Sequence, residues 1–131
     1  MFSTVLSACL QGLCVDFVQV EADVSNGLPM FHLVGYLSSE VKEAGERVRT
    51  AIRNSGIKLP AQKIVVNLAP ANIKKRGTMF DLAIAVAVLA SYQAIPQNRL
   101  DNTLFVGELS LDGSIKGVRG ILPIVSAAKK E

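Results

Sequence analysis

The sequence predicts an α+β domain folded as one compact unit, and three stretches carry that reading. Residues Ser3 to Val24 hold β-branched and apolar residues in two runs on either side of Gln11-Gly12. Leu37, Val41, Ala44, Val48 and Ile52 recur at helical spacing, with Lys42, Glu43, Glu46, Arg47, Arg49 and Arg53 on the remaining arc. Leu82 to Leu89 is apolar without a polar face, so a helix there has to be covered on nearly all sides.

Each element has its own local cause. Val15, Phe17, Val20 and Val24 alternate roughly with Asp16, Gln19, Glu21 and Asp23, which reads as the second strand of an antiparallel pair. Ser25-Asn26-Gly27 is a turn signal because Asn and Gly tolerate positive φ, and Met30 to Val34 reads as a third strand, ended by Gly35. Ser38 or Ser39 caps the amphipathic helix, Glu43 and Arg47 are spaced to pair at i,i+4, and Ser55-Gly56 stops it. Lys63 to Leu68 is a β-branched strand, followed by a loop from Ala69 to Gly77. Thr78 and Asp81 resemble a capping box opening the apolar helix. Leu104 to Ser110 reads as a strand, Asp112-Gly113 as a type I′ hairpin turn, and Ser114 to Val118 as the returning strand. A last helix runs from Leu122 to Lys130, and its abrupt end at Glu131 reads as a cut from a longer protein.

Composition narrows the function classes. The 131 residues are 50% hydrophobic and 19% charged, enough for a core, and with no Trp and 5% aromatic residues that core is aliphatic. Net charge is +3, from 14 Lys and Arg against 11 Asp and Glu, so an anion site has to be local rather than a uniformly basic face. Cys9, Cys14 and the lone His32 are too few for a structural zinc site. Both cysteines read as reduced core residues, and a single unpaired couple without a signal sequence points to the cytoplasm. The longest apolar run, Leu82 to Ala90, is about half of what a bilayer span needs, so no membrane is expected as partner.

Most catalytic chemistries find no support in the residues. No GxxxxGK[ST] or GxGxxG string occurs, so neither a P-loop nor a dinucleotide turn is present, and no nucleotide cofactor is expected in this segment. His32 falls on a strand among apolar neighbours, where a structural histidine is the simpler reading. Asp16, Glu21, Asp23 and Glu108 read as solvated strand faces rather than an acid and base pair. One anion-site candidate remains. Lys74, Lys75 and Arg76 precede a helix N-terminus, where side-chain cations and free amides can converge on one anion, although an ordinary solvated basic loop has the same composition. Arg47, Arg49 and Arg53 form a second basic set, on a helix that also carries Glu43 and Glu46.

Several strings resemble one family closely: Ser25-Asn26-Gly27-Leu28-Pro29, Val41 to Ser55, Val66-Asn67-Leu68-Ala69-Pro70-Ala71, Phe80-Asp81-Leu82, and Gly107 to Gly113. In this order they are similar to the N-terminal domain of the ComM/YifB group, the Mg-chelatase-like AAA+ ATPases, from about Thr4 to the end. The resemblance implies a Lon-protease-like domain with the ribosomal protein domain-2-like βαβ superfold, a mixed sheet with helices packed on it. It also implies that residues 1–131 are the N-terminal piece of a chain whose hexamer-forming ATPase module, with ATP and Mg, lies beyond them. The function it implies is helicase-driven branch migration of DNA during natural transformation.

Active Lon domains carry a Ser two residues after a loop Gly and a Lys in the helix after the later hairpin. If Gly77 matches that loop Gly, the nucleophile position falls on Met79 and the base position on Leu122. A thioether and an alkyl chain can do neither task, so the resemblance implies a non-catalytic segment. The rival reading is a divergent Lon-like peptidase using Thr78 with a lysine, Lys74 or Lys116. The partners implied are DNA and further copies of the same chain, in a homo-oligomer and a hexamer in the longer parent. Lys74, Lys75 and Arg76 are then the expected DNA-backbone contact, with Arg47, Arg49 and Arg53 as a second patch.

Overall fold

A computed structural model describes residues 1–118 and 121–130, with the side chains of Leu122 and Lys130 outside the described set. β1 (Phe2–Gln11) and β2 (Cys14–Ser25) form the expected hairpin, in register from Phe2 opposite Asp23 to Gln11 opposite Cys14. Its two-residue turn places Gly12 at φ +63°, a left-handed conformation that suits the twist of an antiparallel pair. β3 (Met30–Val34), α1 (Ser39–Lys42), α2 (Ala44–Asn54) and β4 (Lys63–Ala69) follow. β3 and β4 are parallel because helices carry the chain back across the sheet between them. The sheet order is β1-β2-β4-β3, antiparallel except for that last pair, so the fold is α+β with a mixed sheet.

Register decides which face is buried. Val5, Val20 and Leu68 lie side by side, as do Ala22 and Val66, and all five are inside. The alternate positions Gln19, Asp23 and Lys63 face outward, and so does His32 on β3. α3 (Asp81–Ser91) packs against β1, β2, α2 and a short strand β5 (Glu108–Leu109), which is how its continuous apolar sequence is covered. α4 (Ile121–Lys130) rests on β1 and β2 through the buried Ile124.

Several local expectations are corrected. The amphipathic helix is interrupted at Glu43, which keeps φ −78° and ψ −11°, so the line Val41, Ala44, Val48, Ile52 still points to the core. Ser38 is the cap, its Oγ accepting from Val41 N–H at 3.4 Å. The Leu104–Ser110 strand is cut to β5 (Glu108–Leu109), paired with β6 (Ile115–Lys116). Its first half instead joins the outer side of β1: Leu104 bridges Leu6, and Phe105 N–H donates to Leu6 O at 2.9 Å. The β5–β6 turn has positive φ only at Gly113, whereas type I′ needs it at both central residues. Gly113 N–H donates to Ser110 O and Ser110 N–H to Ser114 O, a longer loop that Asp112 closes by accepting from Ser114. Cys9 is buried as expected, but His32 is exposed because it lies on the solvent face of β3, and Cys14 is exposed because it is the first residue of β2, beside the hairpin turn.

The largest correction concerns Arg47 and Asp81. The Thr78–Asp81 capping box does not form; Phe80 is the N-cap and offers no side-chain bond. Asp81 is wholly buried, and Arg47 meets both its oxygens, Nε to Oδ2 at 2.8 Å and Nη2 to Oδ1 at 3.0 Å. Oδ2 also accepts from Leu109 N–H at 3.2 Å, and Arg47 Nη2 donates to Glu40 O at 2.9 Å. Arg47 and Asp81 together thus join α1, α2, α3 and β5, and Arg47 is not paired with Glu43. The hydrogen bond to Asp81 is the main reason the guanidinium pKa is raised, which keeps its charge permanent. Replacing Arg47 with Met strands a buried carboxylate with one remaining donor. The expected loss is about 3–5 kcal/mol of unfolding free energy by urea titration. A loss below about 1 kcal/mol would show that the pair does not hold these elements together.

Candidate nucleic-acid interface

The three cations after β4 do not form one surface. Lys75 lies beside the segment following β3: its N–H donates to Tyr36 O at 2.9 Å and its C=O accepts from Ser38 N–H at 2.9 Å. This bridge turns the side chain inward, where it is fully buried and donates from Nζ to Pro70 O. Burial lowers the Lys75 pKa, with the Cys9 sulfur acting weakly in the other direction, and burial raises the thiol pKa of Cys9. Gln11 ties the same loop to the β1–β2 hairpin by donating from Nε2 to Lys74 O at 3.0 Å.

Its two neighbours stay outside. Lys74 places Nζ 5.6 Å from the centroid of the Tyr36 ring, and Tyr36 is 52% exposed. Arg76 is exposed. Among the described residues the ion pairs are the N-terminal amine with Asp23 and Arg47 with Asp81, so neither Lys74 nor Arg76 is neutralised. The loop therefore presents two cations and an aromatic face at the C-terminal ends of β3 and β4. Tyr36 is the functional candidate that the sequence reading missed, and its position one residue after the strand-ending Gly35 was the available signal.

The second basic set is also divided. Arg47 is held by Asp81, while Arg49 and Arg53 remain on the solvent side of α2. Arg49 lies 5.7 Å above the Phe31 ring. Both arginines line a groove of about 420 Å³ that also takes in the start of β3 and the segment Ile57–Gln62. That segment is pinned by Tyr92 Oη, donating to Pro60 O at 2.7 Å. Because β3 and β4 run parallel, the groove at Met30 and Ile64 lies at the opposite end of the sheet from Tyr36 and Lys74. The two basic sets are two separate places on the molecule.

Met79 is half-buried and packs against the core. Of the lysines named with Thr78 in the peptidase reading, Lys74 lies over Tyr36 and Lys116 is exposed on β6. Leu122 lies on α4, its side chain outside the described residues. Among the described residues no group of His, Cys, Asp and Glu could hold a metal, and no helix is long and apolar enough to cross a membrane.

Fold and site together define an α+β domain with two split basic surfaces and a buried Arg–Asp clamp. The chain belongs to the family described as subunit ChlI of Mg-chelatase, which it matches over residues 20–131. It is 44% identical over 126 residues to the competence protein ComM of Haemophilus influenzae, covering 96% of this chain and 25% of that protein. To YifB of Escherichia coli it is 46% identical over 113 residues, 86% of this chain and 22% of the relative. Lon protease 2 of Bacillus subtilis is 33% identical over 93 residues, 70% of this chain and 16% of the protease. The chain thus spans about a quarter of the length of ComM and less of the others.

The buried lysine gives a pH signature. A lysine whose pKa is lowered by folding binds fewer protons in the native state, so its burial penalty is greatest at neutral pH and fades as pH rises toward the unfolded value of about 10.4. Cys9 and Tyr92, both raised by burial, act oppositely at alkaline pH, so the comparison has to be with a variant. Relative to Lys75→Met, the wild-type chain gains stability between pH 7 and about 10 in paired urea titrations. Parallel pH curves for the two proteins would show that Lys75 is not buried as a titrating amine.

Proposed function

We propose that this domain is the non-catalytic N-terminal part of a hexameric Mg-chelatase-like AAA+ ATPase. The longer protein uses ATP and Mg, bound outside this segment, to drive DNA branch migration during natural transformation. Membership of the chelatase family and the likeness to a competence protein support that setting. Within it, Lys74, Arg76 and Tyr36 meet the DNA. The observation that carries this assignment is the exposed Tyr36 ring with the unneutralised Lys74 over it and the exposed Arg76 two residues further along the same loop, a set suited to a base and its flanking phosphates. Lys75 contributes by positioning the loop, and the Lon-like superfold supplies the scaffold. Met79 and Leu122 at the dyad positions favour this reading over a peptidase.

Phosphate contacts of this kind release counterions and are indifferent to sequence, and repetition around a ring lets several weak contacts act together. Replacing Lys74 and Arg76 with Ala in the full-length protein is expected to weaken DNA binding similarly across sequences. The salt slope of the binding constant falls by roughly 0.7–0.9 for each phosphate that the variant no longer neutralises. Unchanged affinity and slope, with hexamer assembly reduced in sedimentation, would make the loop a subunit contact and the DNA assignment wrong.

A further inference from the structure

The groove at the other end of the sheet has a chemistry of its own. Its interior is aliphatic, with Ile52 from α2, Ile64 from β4 and Val88 from α3 on its walls. Its rim carries Arg49 and Arg53, one helical turn apart, and Lys58 on the facing segment, and among the described residues no Asp or Glu lines it. A volume of about 420 Å³ falls within the ordinary range for ligand sites. The groove begins at Met30 and Phe31 of β3, an edge strand whose outer side bonds no other strand in the sheet. Open edges of this kind accept extended chains.

We propose that this groove docks an extended acidic peptide segment of a partner protein. One large apolar side chain of the partner enters between Ile52, Ile64 and Val88, and its flanking carboxylates meet Arg49, Arg53 and Lys58. Charge complementarity selects the occupant: three cations on two facing elements call for several anions, which one fatty acid or one small anion does not supply. The interior selects a side chain over a nucleobase. The deep wall is branched aliphatic surface from Ile52, Ile64 and Val88, which packs on a Leu or Ile side chain rather than on a planar base. Such a site lets the domain hold a protein at one end while its other end is free for a different partner.

The probe is a fluorescein-labelled peptide of sequence Asp-Glu-Asp-Leu-Asp-Glu-Asp, read by fluorescence polarisation on the full-length protein. Binding is expected to fall by about tenfold or more when the peptide Leu is replaced by Gly. A similar fall is expected in the Arg53→Glu, Lys58→Glu protein, two exposed positions whose circular dichroism should match wild type. Oligothymidylate should not displace the peptide. No binding, equal binding of the Gly peptide, or insensitivity to the charge reversal overturns the proposal. Displacement by oligothymidylate together with loss of its own binding in the same variant makes the groove a nucleic-acid site instead.

Discussion

The Arg47–Asp81 pair is the constraint on which the arrangement of this domain depends. A carboxylate at the first position of a buried helix is tolerable only with strong donors around it, and Asp81 has a bidentate guanidinium and a backbone N–H. The helix N-terminus adds a favourable dipole. Because those donors come from α2 and β5, the angle of α2 over the sheet and the position of the β5–β6 hairpin are fixed against α3 by one residue. Apolar burial alone would leave more freedom, since small and branched aliphatic side chains fill most of this interface.

The clamp also sorts the basic residues. It neutralises and half-buries Arg47, and the backbone bridge between Lys75 and Tyr36 removes Lys75 from the surface. What remains outside falls at the two ends of the parallel pair β3 and β4, Lys74 and Arg76 with Tyr36 at one end, Arg49 and Arg53 with an aliphatic groove at the other. The two basic runs of the sequence therefore resolve into two small cationic places of different character. One carries an exposed aromatic ring, and the other is concave and aliphatic.

Much of the fold was legible in the sequence because periodicity reports burial directly. The β1–β2 hairpin, β3, β4 and the two long helices all follow from alternation or helical spacing, and the continuous apolar run of α3 announced that it would be covered. The errors share a cause, which is competition from distant partners. Glu43 lost Arg47 to Asp81, Thr78 lost Asp81 to Arg47 and Leu109, and residues 104–105 were drawn to β1 rather than to their own hairpin. Three consecutive cations read as one patch because sequence does not reveal a backbone bridge at the middle one. Tyr36 had only its place after the strand-ending Gly35 to mark it, and Lys58 carried no local signal at all. Their relevance arises only when the fold places them beside cations from other elements.

The proposed division of the surface into a DNA-contacting end and a second end is tested most directly by site-specific photo-crosslinking. A benzophenone amino acid is placed at Tyr36 or at Ile57, both exposed and outside the core, in the full-length protein bound to forked DNA. Crosslinks to DNA from position 36 and none from position 57 are the predicted result. DNA captured from position 57, with position 36 silent, would contradict the account.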